Sequence, residues 1–351
     1  MKRQKQTKYY ILYGLFASVI ILLVVPSALV FLSGSGASPL NSNQAVPVSG
    51  VSRTPQVKQE EPNPYIVRVF RVETGKVEDV PIEKYIEGVV AAEEPAEFEL
   101  EALKAQALAA RTYIVRRILG NNFNDVPKGA YVTDTVKHQV YYDDSQLRNN
   151  WGRDYSWKQQ RVHQAVVETT NQILTYGNKP INATFFSTSN GYTESAEDYW
   201  GQKIPYLQSV AVPWDKDAPH YEDTVSLPLY EFERKLRINM AQAAMTGGSS
   251  WQHVLSYTPG KRVGKIRIGD KEYTGREIRE KLGLYSTQFS FSIEKNNVII
   301  HTKGYGHGVG MSQWGANGMA KQGKAADDIV RYFYRGVSVE SDMKWLKAKN
   351  S

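Results

Sequence analysis

Residues 85–112 have the sequence YIEGVVAAEEPAEFELEALKAQALAART, and this stretch predicts two helices separated by a short break. Apolar side chains recur at helical spacing from Ile82 to Val90, and Pro81 suits the first position of that helix. Pro95 ends the helix, because the residue before a proline is disfavoured in helical geometry. The second helix is predicted from about Glu97 to Leu119, where many alanines indicate close packing.

The remainder of the folded part mixes strands and helices without a regular strand–helix–strand alternation. Runs of β-branched and aromatic residues predict strands, and apolar positions at helical spacing predict helices. The predicted strands are residues 65–72, 139–142, 173–176, 183–187, 263–268, 289–292 and 298–302, and the predicted helices are residues 157–170, 227–239 and 324–334. This mixture predicts an α+β fold, and the length from Tyr65 to Leu346 predicts two lobes around a central cleft.

The composition excludes several classes of protein. The 351 residues include no cysteine, which excludes disulfides, thiolate nucleophiles and cysteine-based metal sites. The formal net charge is +7, but Lys2, Arg3, Lys5 and Lys8 supply four of those positive charges. From Tyr9 onward 39 basic residues stand against 36 acidic ones, so the body of the chain is not expected to bind nucleic acid.

The N-terminal region predicts a single membrane anchor. Residues 9–32 contain no charge and are long enough to cross a bilayer core of about 30 Å. The positive charges in residues 1–8 place that tail in the cytoplasm, so the chain beyond the anchor is expected outside the cell membrane. Residues 33–64 are rich in Ser, Gly, Pro and Asn and are expected to be a flexible linker to an extracytoplasmic domain at residues 65–346. Signal cleavage near residues 35–37 is the alternative to an uncleaved anchor.

Glu93 and Glu94 stand at the break between the first two predicted helices and are the first candidates for chemistry. Acids are common at helix starts, because the helix N-terminus favours negative charge, so that alternative remains open on position alone. Two polar pairs on the following helix are seven residues apart and share a face, namely Lys104 with Arg111 and Gln106 with Tyr113. These polar side chains suit a sugar or phosphate cleft, and a solvated face with salt bridges is the alternative.

Two further segments concentrate polar side chains of the kind that bind sugars. The sequence FFSTSNG at residues 185–191 ends a predicted strand with hydroxyl and amide groups, but it is not the G-x-S-x-G motif of serine hydrolases. Gln139 and Tyr141 lie in the strand predicted after His138. Aromatic residues that could stack on sugar rings follow at Trp200, Tyr206 and Trp214, although each is more often part of a core or a turn.

The densest motif is GYGHGVGMSQWGANG at residues 304–318. Its six glycines predict a tight loop, not a helix or an ordinary strand, and they permit close backbone approach. Its spacing does not match either glycine motif of nucleotide-binding proteins. The loop is expected to present His307, Ser312 and Gln313 to a cleft. The sequence contains no convincing cluster of metal ligands, so no metal is expected.

Three of these segments, residues 85–112, 185–191 and 304–320, together resemble the stage II sporulation protein D family of endospore-forming bacteria, whose relatives include amidase enhancers. The resemblance implies a lytic transglycosylase acting on peptidoglycan, with Glu93 as its catalytic residue and Glu94 in place of the usual methionine. Some members bind zinc through Cys and His just before the Gln-Val-Tyr segment. Here Thr133, Lys137 and His138 occupy that run, so neither a metal nor another cofactor is expected.

The resemblance also implies a substrate, partners and a location. A lytic transglycosylase can work with one carboxyl group, because the 6-hydroxyl of the sugar is the nucleophile and the product is a 1,6-anhydromuramoyl end. The substrate would be glycan strands freed of stem peptides by a sporulation amidase. The protein would act with a membrane scaffold protein of the engulfment complex, in the mother-cell membrane at the septum, to thin the septal wall.

The expected site is one cleft that contains Glu93 and a set of substrate-binding residues. That set is Lys104, Gln106, Arg111, Tyr113, Gln139, Tyr141, Ser187, Ser189, Asn190, Gly191, His307 and Gln313. Two alternatives without catalysis remain: a peptidoglycan-binding module that activates an amidase, and a structural tether between membrane and wall. Neither of them requires Glu93.

Overall fold

The computed structural model describes residues 63–240 and 251–346. The predicted cytoplasmic tail at residues 1–8, the predicted anchor at residues 9–32 and nearly all of the predicted linker lie outside the described residues. Within the two described ranges, no helix is both long and apolar enough to cross a membrane. The anchor and the linker therefore stay predictions.

The described residues form fourteen strands and ten α-helices. The strands are β1 (Ile66–Arg71), β2 (Lys76–Pro81), β3 (Val132–Thr133), β4 (Gln172–Tyr176), β5 (Lys179–Pro180), β6 (Phe185–Phe186), β7 (Glu222–Pro228), β8 (Gln252–Tyr257), β9 (Val263–Ile268), β10 (Lys271–Thr274), β11 (Phe289–Glu294), β12 (Asn297–Lys303), β13 (Met311–Ser312) and β14 (Ser338–Ser341). The helices are α1 (Ile82–Glu93), α2 (Leu100–Gly120), α3 (Asp144–Trp151), α4 (Tyr155–Val167), α5 (Ala196–Trp200), α6 (Leu229–Leu236), α7 (Gly275–Leu282), α8 (Gln313–Lys321), α9 (Ala326–Phe333) and α10 (Met343–Leu346).

These strands form five small sheets, most of them antiparallel. The strand orders are β2-β1-β3, β14-β4-β5, β11-β12-β7, β10-β9-β8 and β13-β6. Parallel pairing occurs between β1 and β3 and between β6 and β13. The α+β prediction is therefore confirmed.

Helix α2 is central to the larger of two hydrophobic clusters. It packs against α1, α4, α8, α9 and β4, and alanines along its length let those neighbours approach closely. This first cluster draws buried residues from Val67 to Val212 and again from Val309 to Leu346. The second cluster lies between these stretches of sequence and runs from Phe232 to Ile300. The two clusters are compatible with two lobes, whereas the central cleft between lobes stays a prediction.

The strand predicted at residues 139–142 is wrong, because that segment is extended but pairs with no strand among the described residues. Its backbone groups bind elsewhere. The Val140 amide donates to the side chain of Glu93 at 2.8 Å, and the Tyr142 amide donates to the Gly88 carbonyl at 3.3 Å. A Cβ on Gly88 would clash with the ring of Tyr141, so this segment lies directly on α1.

The glycine-rich segment is only partly the loop that its composition predicts. Residues 304–310 form a loop in which all four glycines have positive φ, from +85° to +120°. The chain then enters β13 and α8, and α8 contains Gly315 and Gly318. A Cβ on Gly315 would lie 2.6 Å from Val212, and one on Gly318 would clash with Trp214. The last two glycines therefore serve close helix packing, not loop geometry.

Candidate active site

Glu93 is the last residue of α1, and its carboxylate is partly exposed. Its Oε1 accepts a hydrogen bond from the Val140 amide at 2.8 Å. Burial raises the pKa of the Glu93 carboxyl, and the Val140 hydrogen bond lowers it by less. A carboxyl group with a raised pKa stays protonated closer to neutral pH, which is the property that a general acid needs.

The backbone around Glu93 is held by α8, the helix that begins inside the glycine-rich motif. Gln313 Nε2 donates to the Glu93 carbonyl oxygen at 3.0 Å. One turn along α8, Asn317 Oδ1 accepts from the Glu99 amide at 2.9 Å. The two side chains therefore clamp both ends of the connection between α1 and α2, although Gln313 is 220 residues away from Glu93 in the sequence.

The middle of that connection is held by two further contacts. The rings of Phe98 and Trp314 meet edge to face with centroids 4.9 Å apart. From α4, Arg161 Nε donates to the Ala96 carbonyl at 2.9 Å, and its Nη2 donates to the Phe98 carbonyl at 2.6 Å. The segment that carries Glu93 is thus fixed on both sides, so its carboxylate is preorganised.

Glu94 differs from its neighbour in its burial and in the lack of hydrogen bonds to its carboxyl group within the described residues. Only 4% of its surface is exposed, and neither carboxyl oxygen has a hydrogen-bond partner among the described residues. Burial, together with the nearby charge of Glu93, raises the pKa of Glu94 well above its usual value. Burial therefore disfavours the ionised form of the Glu94 carboxyl, while Glu93 is partly exposed.

Gln139 and Tyr141 are the sequence neighbours of Val140, whose amide binds the Glu93 carboxylate. Both are buried, with 2% and 5% of their surfaces exposed. Gln139 Oε1 accepts from the Tyr85 hydroxyl at 3.2 Å, and the rings of Tyr85 and Tyr141 stack with centroids 5.5 Å apart. The structure places both residues where they support Glu93 through the backbone.

Asp215 is a residue that the sequence analysis missed. It is fully buried, and its Oδ2 accepts from the Ser189 amide at 2.5 Å and from the Ser312 hydroxyl at 2.6 Å. Burial raises the pKa of Asp215 to about 6, and these hydrogen bonds oppose that increase. Asp215 therefore joins the predicted segment 185–191 to the start of α8. Nothing in the local sequence around it indicates this role.

The remaining candidates of residues 185–191 differ in their surroundings. Ser187 is partly exposed, and its carbonyl accepts from the Trp314 amide at 3.1 Å, which places it beside the first turn of α8. Asn190 is buried, and its Nδ2 donates to the Gly260 carbonyl at 2.9 Å and to Gln288 at 2.5 Å. Gly191 has φ +103°, and a Cβ there would lie 3.8 Å from the Tyr221 hydroxyl.

His307 does not contact Glu93 in any hydrogen bond of the described residues. Its Nδ1 accepts from the Val309 amide at 3.0 Å, and its ring lies 5.7–5.9 Å from those of Phe186, Tyr199 and Trp200. Burial, followed by the charges of two arginines, lowers the pKa of His307 to about 4. The imidazole is therefore neutral near pH 7.

Arg111, one of the predicted substrate-binding residues, is held by other groups of the protein. Its guanidinium is fully buried and binds Glu83 twice, at 2.6 and 3.1 Å, and it also donates to the Gln172 carbonyl at 3.2 Å. Lys104, on the same face, pairs with Glu101 at 2.8 Å and with Glu168 at 3.1 Å. The salt-bridge alternative for this face therefore describes both side chains better than a substrate cleft.

The second predicted pair on α2 is divided between core and surface. Gln106 is fully buried, and in the described part of the chain its amide nitrogen and oxygen have no hydrogen-bond partner. Tyr113 is partly exposed and lines a cavity of about 290 Å³ with Arg116, Arg117 and Asn182. The structure does not bring Tyr113 into contact with Glu93.

The described residues contain a cavity along α1 and no cluster of metal ligands. A cavity of about 510 Å³ runs along α1 past Lys84, Gly88 and Ala91, but Glu93 is not part of its lining. Within residues 63–240 and 251–346, no three His, Asp or Glu side chains are grouped as metal ligands. His138 instead binds the Thr133 amide and the carboxylate of Asp125, at 3.1 and 3.0 Å. The absence of a cofactor stays a prediction.

Comparisons with known proteins agree on one family. The family profile described as Stage II sporulation protein matches residues 71–176. Stage II sporulation protein D of Bacillus subtilis (strain 168) is 44% identical over 323 residues, which are 91% of this chain and 92% of that protein. Stage II sporulation protein D of Bacillus amyloliquefaciens is 45% identical over 342 residues, 96% of this chain and 97% of that protein. The Amidase enhancer of Bacillus subtilis (strain 168) is 27% identical over 314 residues, 73% of this chain and 40% of that protein.

Proposed function

Because the chain belongs to the stage II sporulation protein D family, a family of sporulation proteins, we propose that it is a membrane-anchored lytic transglycosylase of peptidoglycan. The observation that carries this proposal is the contrast between Glu93 and Glu94. Glu93 is a partly exposed residue with a raised pKa on a clamped segment, while Glu94 is buried, and its burial disfavours the ionised form. A lytic transglycosylase requires one accessible carboxyl group as its acid and base.

In the proposed reaction, Glu93 first acts as an acid and then as a base. Its protonated carboxyl gives the proton to the bridging oxygen, so that the bond from C1 of the muramoyl sugar to that oxygen breaks. The 6-hydroxyl of the same sugar then attacks C1 and returns its proton to Glu93. The bond from O6 to C1 gives a 1,6-anhydromuramoyl end, no water is consumed, and the enzyme is regenerated.

The carboxyl groups near Glu93 suit a lytic transglycosylase better than a hydrolase. A hydrolase needs a second carboxylate to activate water or to attack the sugar. The adjacent Glu94 is not suited to that role, because its carboxyl is buried and its raised pKa disfavours the ionised form. The Val140 amide donates to Glu93 Oε1, which leaves the second carboxyl oxygen to carry the proton.

The proposed biological setting follows from the family. The substrate is glycan strand from which a sporulation amidase has removed the stem peptides. The protein acts together with a membrane scaffold protein of the engulfment complex. It is located in the mother-cell membrane at the septum, with its N-terminus in the cytoplasm and residues 65–346 outside, where it thins the septal wall during engulfment.

The test is to incubate the full-length protein with peptide-free glycan strands and to identify the new ends by mass spectrometry. We expect 1,6-anhydromuramoyl ends from the wild type and from Glu94→Gln, and none from Glu93→Gln. Products one water heavier would identify a hydrolase. No cleavage by folded wild type, or cleavage lost in Glu94→Gln and kept in Glu93→Gln, would overturn the assignment.

A second candidate is a non-catalytic module that binds peptidoglycan and activates an amidase. The similarity to a protein named Amidase enhancer favours it, since 73% of this chain is matched. Comparing the wild type with Glu93→Gln distinguishes the two functions. An activator keeps its effect on the rate of a sporulation amidase when Glu93 is changed to Gln, whereas a lytic transglycosylase loses its own product.

A further inference from the structure

Three aromatic rings, those of His220, Tyr285 and Tyr305, form an exposed cluster that the chemistry proposed for Glu93 does not use; we call it the aromatic platform. The ring centroids of Tyr285 and Tyr305 are 4.7 Å apart, and His220 lies 5.9 and 5.5 Å from them. Tyr285 and Tyr305 have 38% and 39% of their surfaces exposed, and His220 is exposed as well. Large rings that touch one another and remain in water mark a surface suited to a ligand.

The backbone beneath the platform is held rigidly. The Tyr305 amide donates to the Thr188 carbonyl at 2.7 Å, and the Thr188 amide returns a bond to Tyr305 at 3.0 Å. The glycine amides on either side of Tyr305 donate to the carbonyls of Tyr221 and Tyr285, at 2.7 and 2.9 Å. His220 has φ +61°, a left-handed conformation that non-glycine residues seldom adopt. The rings are thus presented before any ligand arrives, which lowers the entropy lost on binding.

Hydrogen bonds connect the backbone beneath the platform to the segment that holds Glu93. The Ser187 carbonyl accepts from the amide of Trp314 at 3.1 Å, and the preceding residue, Gln313, binds the Glu93 carbonyl. The next residue after Ser187 is Thr188, which pairs with the platform. Two consecutive residues therefore connect the platform to the helix that clamps Glu93. A glycan strand is a linear polymer, so sugars on either side of the reacting bond must cross neighbouring surface.

We propose that the aromatic platform binds a pyranose ring of the glycan strand at a position away from the bond that Glu93 cleaves, a proposal that depends on the proposed function. The axial C–H bonds of an amino-sugar ring form an apolar face, which packs on the face of a tyrosine. Polar groups at the rim, the tyrosine hydroxyls and the His220–Asp223 pair at 3.1 Å, can bind the hydroxyl and acetamido groups. Rigid tyrosines supply this contact area at small entropic cost.

Binding is measured first, in full-length protein carrying Glu93→Gln so that the probe is not consumed. The probe is peptide-free glycan strands of graded length. We expect Tyr285→Ala and Tyr305→Ala each to weaken binding of long strands about five- to tenfold, and Tyr305→Phe to retain affinity because the ring remains. Tyr257→Ala is the matched control, since Tyr257 is a tyrosine with 65% of its surface exposed and no ring partner among the described residues. Should Tyr305→Ala fail to fold, Tyr285→Ala decides.

Kinetics of strand cleavage then separate this proposal from the function on which it depends. With Glu93 intact, Tyr285→Ala should raise KM for long strands and leave kcat unchanged. Equal affinity of Tyr285→Ala, Tyr305→Ala and wild type for long strands overturns the platform while the cleavage chemistry stands. If the wild type produces no anhydro ends, the proposed function fails, and the binding comparison still decides whether the platform holds glycan.

Discussion

Replacement of Glu94 by methionine should stabilise the protein and leave its chemistry intact. The wild type buries a carboxyl group with 4% of the residue surface exposed and no hydrogen-bond partner for either oxygen in the described part of the chain. An unsatisfied buried polar group costs about 1–3 kcal/mol. Methionine has a similar length, carries no such group and is the residue that the family resemblance places here. The free energy of unfolding should therefore rise by about 1–3 kcal/mol from the loss of this group alone, and by more at pH 7, where the proton linkage adds to it.

The proton linkage gives this prediction a distinctive pH dependence. Because the folded-state pKa of Glu94 is raised, the folded state binds a proton that the unfolded state releases above its ordinary value of 4.5. Stability is therefore lost as the pH rises from that value towards the folded pKa, by about 1.4 kcal/mol per pH unit. Glu94→Met and Glu94→Gln should remove this slope, so their stability relative to wild type should increase as the pH rises from 4.5 towards 7.

Urea unfolding at pH 5, 6 and 7 measures this directly. Glu99→Gln is the matched control, because Glu99 lies on the same connection but is exposed, and its change should stay within about 0.5 kcal/mol at each pH. Cleavage activity of Glu94→Met should equal that of the wild type at 25 °C. A variant that is destabilised, or a pH slope identical to that of the wild type, would refute the description of Glu94 as a buried carboxyl with a raised pKa.

Three further predictions concern the site and its support. Burial raises the pKa of Glu93, and the proposed reaction begins from its protonated form. The rate of glycan cleavage should therefore persist above pH 4.5 and fall only as the pH passes the raised pKa of Glu93. A pH–rate profile measures this. Arg111→Ala should lower the free energy of unfolding by about 3–5 kcal/mol, because it leaves the Glu83 carboxylate without its buried partner. Lys104→Ala should lower it by no more than about 1 kcal/mol. Equal losses of the two variants in urea unfolding would contradict this prediction. Gly318→Ala should lower the melting temperature by several degrees, because its Cβ meets Trp214, while Gly120→Ala has open space in its helix and should not lower it.

Much of the candidate site was predictable because its signals are local. The break between α1 and α2 was predicted from Pro95 and the helical spacing before it, and it places Glu93 at a helix end. Gln313 was selected as a polar residue in a glycine-rich motif, and the structure brings it within 3.0 Å of the Glu93 backbone. The distinction between Glu93 and Glu94 was not predictable from position, because both carboxyls occupy the same break.

The class of fold, the two helices around Glu93 and the family can be predicted from sequence, because helix spacing, proline and dense glycine motifs act over a few residues. Which charged groups serve as support depends on the packed structure. Arg111 is buried because Glu83, 28 residues earlier, and the Gln172 carbonyl lie beside it once α2 is packed. Asp215 acquires its role only where Ser189 and Ser312 meet. Hydrogen bonds between residues so far apart depend on how helices and strands pack, and no local pattern encodes that packing.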